Sequence, residues 1–446
     1  MTRNDALALD AADPLAPLRQ QFDIPDGLIY LDGNSLGVLP RASAARVAQV
    51  IGQEWGQGLI GSWNSAGWMA LPQHIGNKIA TLVGAWPGEL VVADSTSVNL
   101  FKVLSAALAL QRVAAPGRSL ILSERSNFPT DLYIAQSLAS QHGCNLQLVD
   151  KPEQLSAALG SETAVLMLTQ VNYRSGWLHD MAALNAAAHA AGALTVWDLA
   201  HSAGALPVAL NASGADFAVG CGYKFLNGGP GAPAFAWAHA RHAPHAWQPL
   251  AGWLGHAAPF SFEPGYRPAP GMQRFICGTP PVLAMAALEC GVDTLMAAEP
   301  LGGMAALRSK SLALTRLFID LIQARCADHG LRFASPDDDQ RRGSQVCVAF
   351  DAASVAGRAG AAYAVVQALI ARRVVGDFRA GGTGSTSSAS SAEGDDGADL
   401  PDILRFGVTP LYTRFVDIWD AVEQLRQVLD SGEWRQARFN QRAAVT

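Results

Sequence analysis

The chain has 446 residues, of which 50% are apolar and 16% charged, and its formal net charge at pH 7 is -6. This length exceeds one ordinary hydrophobic core, so we expect a main domain and a smaller one. The charge is mild and unclustered, and no apolar run approaches the roughly 20 residues of a membrane-spanning helix, which argues against nucleic acid and membrane as partners.

The first segment of the chain and its cysteines indicate a cytoplasmic protein. The opening residues, MTRNDALALDAADP, carry three acids and lack the apolar stretch of a signal peptide. Six cysteines are scattered without CxxC spacing, and the histidines lack the spacing of metal ligands. We therefore expect reduced thiols, no metal site, and an N-terminal segment (residues 1–50) that joins the smaller domain.

Residues 51–300 alternate between strand-like and helix-like runs. This alternation predicts an α/β fold with a large, doubly wound, mainly parallel sheet. The Ala-rich helices include Met181–Ala191, for which Gly192 is the expected C′ residue. The expected strands are, in chain order, ELVVAD, SLILSE, LQLVD, AVLMLTQ, ALTVWD, DFAVGC and APAFAWA.

The pattern changes after residue 300, and we expect a smaller α+β domain over residues 301–446. The stretch 381–399, GGTGSTSSASSAEGDDGAD, is polar, acidic and of low complexity, which predicts a disordered surface insertion. The other expected elements are a long helix Leu301–Ala327, a strand Ser344–Phe350, a helix Ala361–Arg373, a strand Ile403–Gly407 and a helix Phe415–Leu429.

Two short motifs of the α/β region are typical of ligand contacts. In STSVNL, Thr96 or Ser97 is a natural N-cap for a buried helix over Val98–Gln111, and a helix N-terminus binds phosphate well. Capping alone is the other interpretation. In NFPTD, Phe128 could stack on a cofactor ring and Asp131 could hold its phenolic oxygen or an amide of the phosphate loop. The alternative for both residues is an ordinary turn.

A lysine and an aspartate follow two further strands. Asp198 ends an apolar strand in WDLAHSAG, and Lys224 ends another in GYKFLNGGPG. Ligands of open α/β sheets bind at the carboxyl ends of strands. A lysine among apolar neighbours suits a Schiff base with pyridoxal phosphate, and an aspartate can hold the pyridine nitrogen protonated, so the pair predicts this cofactor. His201 could stack on the ring or bond to Asp198. Taken singly, each residue could instead cap an element or fill the core.

Together the motifs carry a family resemblance. From about residue 30 to residue 429 the chain resembles the kynureninases, which are fold-type-I pyridoxal-phosphate enzymes of the class V aminotransferase group. Single motifs occur across that group, whereas the set in this order, with its GWLGH and CGTPP pieces, is more specific. The motifs are YLDGNSLG, STSVN, SNFPTD, VWDLAHSAGALP, GYKFLNGGPG, LAGWLGH and FICGTPP.

The resemblance implies roles for individual residues. Lys224 would carry the cofactor and remove the substrate's α-proton, with Asp198 as partner of the ring nitrogen. Arg405 would bind the substrate carboxylate, with a surface ion pair as the alternative. Trp63 would face the substrate's aromatic ring, with simple packing as the alternative. Tyr223 would bind the phosphate and relay a proton, although a continued strand would turn it away from Lys224. The other implied cofactor contacts are Thr96, Ser97, Phe128, Asp131, Thr169, His201, Trp253 and Thr279.

The resemblance also implies an activity and an assembly. The reaction would be hydrolysis of L-kynurenine between Cβ and Cγ to anthranilate and L-alanine, a step of tryptophan catabolism, with 3-hydroxykynurenine as the other substrate. The active unit would be a homodimer, in which Trp253 and Thr279 reach the phosphate of the neighbouring subunit.

Two other functions compete with kynurenine hydrolysis as interpretations of the sequence. A cysteine desulfurase or selenocysteine lyase needs a nucleophilic cysteine on a mobile loop of its C-terminal domain. Here Cys347 lies inside an apolar strand and Cys326 in a predicted helix. A non-catalytic binding protein of the same fold would have no need of both Lys224 and Asp198.

Overall fold

The computed structural model describes residues 1–351, 360–382 and 400–441. In these ranges no helix combines the length and the apolar character needed to cross a lipid bilayer. The strands are β1 (Ile29–Tyr30), β2 (Leu90–Ala93), β3 (Leu120–Glu124), β4 (Asn145–Val149), β5 (Thr163–Thr169), β6 (Leu194–Asp198), β7 (Phe217–Gly220), β8 (Ala234–Ala238), β9 (Leu331–Phe333), β10 (Gln345–Phe350), β11 (Val374–Val375), β12 (Asp377–Arg379) and β13 (Ile403–Gly407). The α-helices are α1 (Arg3–Ala11), α2 (Arg41–Gln49), α3 (Ser62–Ser65), α4 (Leu71–Leu82), α5 (Thr96–Ala114), α6 (Pro129–His142), α7 (Leu155–Ala158), α8 (Met181–Ala190), α9 (Val282–Met296), α10 (Gly303–Arg325), α11 (Ala361–Ala371) and α12 (Phe415–Ser431).

The seven strands predicted for the α/β region form one sheet, in the order β2-β8-β7-β6-β5-β3-β4. All neighbouring pairs are parallel except those made by β8, which runs antiparallel to β2 and β7. Every residue of β5 is buried, as expected for a parallel strand covered on both faces. Successive residues of β6 serve two cores, since Val196 packs with α5 and α6 and Trp197 with α4 and α8. The predicted α/β architecture is confirmed.

The sheet brings the ends of three strands to one edge. β5, β6 and β7 are parallel neighbours, with Thr169 opposite Asp198 and Asp198 opposite Val219. The chain leaves β7 after Gly220 and turns, so that Lys224 returns over the same edge. Thr169, Asp198 and Lys224 therefore lie together, although they are far apart in the chain.

A second sheet lies in the C-terminal part, in the antiparallel order β12-β13-β10-β9. It packs with α10, α11 and α12 around a separate core. The N-terminal segment contacts these elements: Ala6 of α1 is buried in that core, and β1 pairs with β11. The domain boundaries given above stay a prediction.

The elements predicted for the C-terminal part form, with changed ends. The long helix begins at Gly303 rather than Leu301, because Gly302 has φ of 102° and breaks the helical path. It ends at Arg325, so Cys326 follows the helix instead of lying in it. Of the predicted insertion 381–399, residues 383–399 lie outside the described residues.

A short N-terminal stretch, residues 31–37, passes between the two sheets. The Gly37 amide donates to the Tyr223 carbonyl at 2.8 Å. A Cβ on Gly37 would lie 2.5 Å from the Lys224 carbonyl oxygen, and one on Gly407 would lie 2.0 Å from the side-chain amide of Asn34. Gly37 is required by close backbone approach, whereas Gly407 leaves room for the buried Asn34 side chain. They allow residues 31–37 to touch the Lys224 turn and β13 together.

Candidate active site

One pocket gathers most of the predicted cofactor residues. It lies at the carboxyl ends of β5 and β6, where α/β folds bind ligands. Tyr173, Thr130 and Ala200 also line it, and the sequence did not single these out. The predicted residues in this pocket are Thr96, Ser97, Phe128, Asp131, Thr169, Asp198, His201, Tyr223 and Lys224.

Lys224 stands among aromatic rings and one histidine. Its Nζ lies 3.0 Å from Nε2 of His201 and 5.8 Å from the ring centroids of both Phe128 and Tyr223. Burial is the largest cause that lowers the pKa of His201 far below its ordinary value, and the charge of Lys224 lowers it further. His201 is therefore neutral, and it bonds to the lysine rather than to Asp198.

Tyr223 faces the same pocket as Lys224. The strand β7 has already ended at Gly220, so the alternation of a strand does not apply at residue 223. The strand therefore does not continue to Tyr223 and does not turn it away from Lys224, and the phosphate-binding and proton-relay roles of Tyr223 stay predictions. Burial, and next the neighbouring Cys221, raise the pKa of the phenol above its ordinary value. Tyr223 keeps its proton at neutral pH and can donate it.

Two buried carboxyl groups lie across the pocket from the lysine. Asp198 is 4% exposed and Asp131 is 3% exposed. Burial raises the pKa of both, and for Asp131 the charge of Asp198 raises it further. The Lys224 charge counteracts burial at Asp198, which also accepts the Ala200 amide at 2.8 Å. Thr169 donates to Asp131 at 3.2 Å. A positively charged group beside Asp198 would therefore stabilise its ionised form.

The N-terminus of α5 offers donors at another side of the pocket. The N-cap is Ser95, whose hydroxyl accepts the Val98 amide at 3.4 Å, so the prediction of Thr96 or Ser97 as the cap is wrong. The cap position leaves those two residues in the first turn, facing the pocket. The Thr96 hydroxyl and Nδ1 of His201 are buried without a hydrogen-bond partner among the described residues. Such orphaned groups call for a ligand that bonds to them.

Four predicted residues, Trp63, Trp253, Thr279 and Arg405, do not line this pocket. Trp253 is 39% exposed, and its ring centroid lies 6.5 Å from that of Trp63 and 5.7 Å from that of Phe260. Thr279 lines a neighbouring cleft with Asp94, which forms an ion pair with the fully buried Lys102. Within one copy of the chain, Trp253 and Thr279 are exposed and do not line the Lys224 pocket.

Arg405 of β13 is buried, with its side chain 1% exposed. Its Nη1 donates to the Tyr173 carbonyl at 3.0 Å, and its Nη2 donates to the Ser35 hydroxyl at 2.8 Å and pairs with Asp377. The alternative of a surface ion pair is wrong, because the pair is a buried one. The Tyr173 ring lies 5.3 Å from that of Phe128, so Arg405 borders the Lys224 pocket.

The acidic partner of Arg405, Asp377, and the neighbouring Arg379 were not foreseen from the sequence. Asp377 and Arg379 belong to β12, where a register of Asp377 opposite Arg405 brings them together. Asp32 lies nearby, and burial, followed by the charge of Asp377, raises its pKa to about 7. The only signal in the sequence was two charges in the short strand DFR. Nothing in the spacing linked them to residue 32, some 345 positions earlier (377 − 32).

Curated relatives match the whole chain. A protein named kynureninase from Pseudomonas fluorescens is 52% identical, and one of the same name from Burkholderia pseudomallei (strain 1106a) is 54% identical. In both cases the match covers 100% of this chain and 100% of the relative. The family model described as the kynureninase C-terminal domain matches residues 307–425.

Solved structures with low identity share the fold. A cysteine desulfurase from Thermococcus onnurineus NA1 has a TM-score of 0.73 at 16% identity, covering 93% of this chain and 98% of that one. A variant of C-DES with glycine covalently linked to its PLP cofactor has a TM-score of 0.75 at 16% identity, covering 92% and 98%. These likenesses carry the fold alone, whereas the full-length relatives decide the family. The chain belongs to the kynureninase family.

Proposed function

We propose that this protein hydrolyses L-kynurenine between Cβ and Cγ, giving anthranilate and L-alanine, with pyridoxal phosphate as its cofactor. The observation that carries the proposal is the pocket shared by Lys224 and Asp198, in a chain whose full-length relatives are named kynureninase. The water oxygen stays with the aryl product, and a proton is added to Cβ.

The pocket fits pyridoxal phosphate. Lys224 would hold the aldehyde carbon, and Asp198, at the end of β6, would hold a proton on the ring nitrogen. The first turn of α5, with the orphaned Thr96 hydroxyl and Ser97, would bind the phosphate. Phe128 would cover one face of the ring. When it is bound there, the cofactor withdraws electrons from the substrate's α carbon and so makes the α-proton acidic.

The side chains around Lys224 then move the protons. The Lys224 amine takes the α-proton, while the neutral His201, 3.0 Å away, holds the amine in place. The Tyr223 phenol, kept protonated by burial, is the donor for the proton that Cβ receives. Both groups are within the same pocket, so the lysine and the tyrosine act on one substrate.

The substrate's two ends would lie in different surroundings. The carboxylate would bind beside Arg405, next to Tyr173. The aryl ring would approach the aromatic cluster of Trp63, whose ring lies 6.1 Å from that of Trp68 and 6.5 Å from that of Trp253. Since this cluster does not line the pocket of its own chain, it would face the pocket of the other subunit. Aromatic side chains of this kind pair favourably with an aryl ring through offset-stacked or edge-to-face contacts.

The active unit would be a homodimer in the cytoplasm. Large apolar side chains stand exposed at the surface, among them Ile60 at 81% and Phe262 at 80%. A second copy of the chain would cover them. In that arrangement Trp253 and Thr279 of the partner subunit would complete the phosphate site, since neither reaches the pocket of its own chain.

The described cysteines do not favour the alternative function of a cysteine desulfurase or selenocysteine lyase. It would need an accessible thiol at the pocket, but Cys347 of β10 is 0% exposed and Cys326 is 1% exposed. Burial is the largest cause that raises the pKa of both thiols, which disfavours the nucleophilic thiolate.

The test is a direct assay of the purified protein. With pyridoxal phosphate, we expect a visible absorption band that borohydride removes, and release of anthranilate and alanine from kynurenine in equal amounts. Lys224→Ala should lose the band and essentially all turnover while its far-ultraviolet circular dichroism is unchanged, because among the described residues the amine forms a hydrogen bond to His201 alone. Lys151→Ala, at an exposed position, is the matched control. Near-normal turnover by Lys224→Ala would end the proposal.

A further inference from the structure

Lys102 is a buried charged residue to which the proposed chemistry gives no role. It lies in the second turn of α5, and its side chain is 0% exposed. A lysine that is fully withdrawn from water is rare, and it is costly unless its ammonium is paired. Because the first turn of α5 borders the Lys224 pocket, the partners of this charge lie close to the site.

The ammonium of Lys102 bonds to three segments of the chain. Its Nζ donates to the carboxylate of Asp94, which follows β2, and to the side-chain oxygen of Asn99 on α5 at 3.4 Å. It also donates to the carbonyl of Phe275 at 2.5 Å, and Phe275 opens the motif FICGTPP that contains Thr279. These three acceptors match the three N–H groups of an ammonium. Lys102 is therefore satisfied within the chain and is not a free donor for a ligand.

Asp94, the acidic partner, lies beside the proposed phosphate donors. It directly precedes Ser95, the N-cap of α5, and its φ of 46° is a left-handed conformation that aspartate and asparagine tolerate. It lines one cleft with Thr96 and Ser97, which also line the Lys224 pocket. Its side chain is 32% exposed, so the carboxylate is only partly enclosed. A phosphate held by the first turn of α5 would therefore lie near a carboxylate.

The charge of this carboxylate matters for a phosphate nearby. A phosphate monoester carries roughly one and a half to two negative charges at pH 7, and like charges placed close together disfavour binding. Among the described residues, Lys102 is the cation that pairs with Asp94. Salt screens a partly buried pair of charges less than a fully exposed one. Loss of the ammonium would therefore leave an uncompensated anion beside the phosphate.

We propose that Lys102 is a positioning residue for cofactor binding, whose buried ammonium neutralises Asp94 and keeps that carboxylate from repelling the cofactor's phosphate. The inference rests on the proposed function, since it takes the phosphate to bind at the first turn of α5. The bonds to Asn99 and Phe275 hold the ammonium in place, so Asp94 has its partner before the cofactor arrives. Lys102 itself does not touch the cofactor.

The experiment compares two ligands that differ only in the phosphate. Pyridoxal phosphate and pyridoxal are titrated into the full-length chain freed of cofactor, and the change in visible absorption gives each dissociation constant. Lys102→Met removes the charge and keeps an unbranched side chain. It should weaken pyridoxal phosphate about tenfold to a hundredfold, as an unfavourable like charge does, and change pyridoxal less than about threefold. Adding Asp94→Asn to this variant should restore the affinity for pyridoxal phosphate to within about threefold of the parent, because the uncompensated charge is then gone.

Lys310→Met is the matched control. Lys310 of α10 is also buried and paired with an aspartate, Asp13 at 2.7 Å, but it does not line the pocket. Its substitution should change neither constant, which separates the effect at Lys102 from the general cost of removing a buried ion pair.

Three results would each overturn the inference: equal weakening of both ligands by Lys102→Met, no weakening of either, or no recovery in the double variant. If Lys102→Met does not fold, Asp94→Asn alone decides. It should bind pyridoxal phosphate at least as tightly as the parent, since it removes only a negative charge, and a selective loss of affinity for that ligand would contradict the inference. Kynurenine turnover by the unsubstituted enzyme is measured separately, so failure of the proposed function is recognised independently of these binding constants.

Discussion

At the scale of single residues, Tyr223 is placed to do more than bind phosphate. It lines the pocket with Lys224, and burial keeps its phenol protonated at neutral pH. A hydrogen bond from a neutral hydroxyl to the phosphate is worth about 1 kcal/mol, so its loss should change cofactor affinity by less than about tenfold. A positioned general acid is worth about 10²–10⁴-fold in rate. The two roles therefore differ in size.

Tyr223→Phe removes only the hydroxyl. If the phenol delivers a proton, kcat should fall roughly a hundredfold or more, whereas the affinity for pyridoxal phosphate should change modestly. Steady-state kinetics at saturating cofactor and a cofactor titration measure the two quantities. Tyr133→Phe, at an exposed position on α6, is the control. Full recovery of kcat by added pyridoxal phosphate would leave Tyr223 as a phosphate ligand only.

Asp32 gives a pH dependence of stability. Burial, and then Asp377, raise its pKa to about 7 in the folded chain, against about 3.9 when unfolded. The folded state thus binds more protons between these values, and the free energy of unfolding falls as pH rises through this window. Asp32→Asn removes that titration.

The stability of Asp32→Asn relative to the parent should therefore increase from about pH 5 to about pH 8, by at most about 1.4 kcal/mol for each pH unit. Urea unfolding at the two pH values measures the difference. Asp23→Asn, at an exposed position, should show no such trend. A pH-independent difference for Asp32→Asn would contradict the assignment.

At the scale of elements, the N-terminal stretch 31–37 fixes how the two sheets share the site. It bonds through Gly37 to Tyr223, and its Ser35 bonds to Arg405. An added Cβ at Gly37 would meet the Lys224 carbonyl at 2.5 Å and the Asn227 Cα at 2.7 Å. These are backbone atoms, which cannot swing aside as a flexible side chain can.

Gly37→Ala should therefore cost about 1–3 kcal/mol of stability, as overpacking typically does, and lower turnover because the Lys224 turn must shift. Thermal unfolding and the anthranilate assay test both effects. Gly117→Ala is the matched control, since a Cβ there meets nothing within 4 Å. A Gly37→Ala protein as stable and active as the parent would show that this stretch does not constrain the turn.

At the scale of the whole molecule, the exposed apolar side chains predict assembly. Ile60 and Phe262 have 81% and 80% of their surface exposed. Large exposed apolar side chains often mark a surface that another protein chain covers. Aspartates at these two positions should separate the subunits, because each would bury a charge in an apolar interface. Light scattering should then give half the molecular mass of the parent protein. Turnover should fall because Trp253 and Thr279 of the partner subunit no longer complete the phosphate site.

Val113→Asp is the control for this pair of substitutions. Val113 is 85% exposed and lies near the last turn of α5, whereas the pocket is at the first. It should leave mass and turnover unchanged. A fully active monomer, in the parent or in the double variant, would contradict the shared site.

Much of the architecture was readable in the sequence. Continuous apolar runs such as that of β5 can be buried on both faces only in a covered parallel sheet, and strand ends in such a sheet share one edge. That reasoning brought Asp198 and Lys224 together. It failed at the start of α5, where the N-cap is Ser95 and not Thr96 or Ser97, because several neighbouring hydroxyl residues can all cap a helix.

By itself, the sequence determined the α/β class and the succession of strands along the chain. It also identified the pocket residues that follow those strands, because periodicity and motif spacing are local properties. Only the tertiary structure decided what surrounds Arg405. Asn34, Ser35, Asp377 and Tyr173 reach it from three distant segments. Their meeting depends on burial and on the register of β12 against β13, and the paired charges are stable there only because each has its partner.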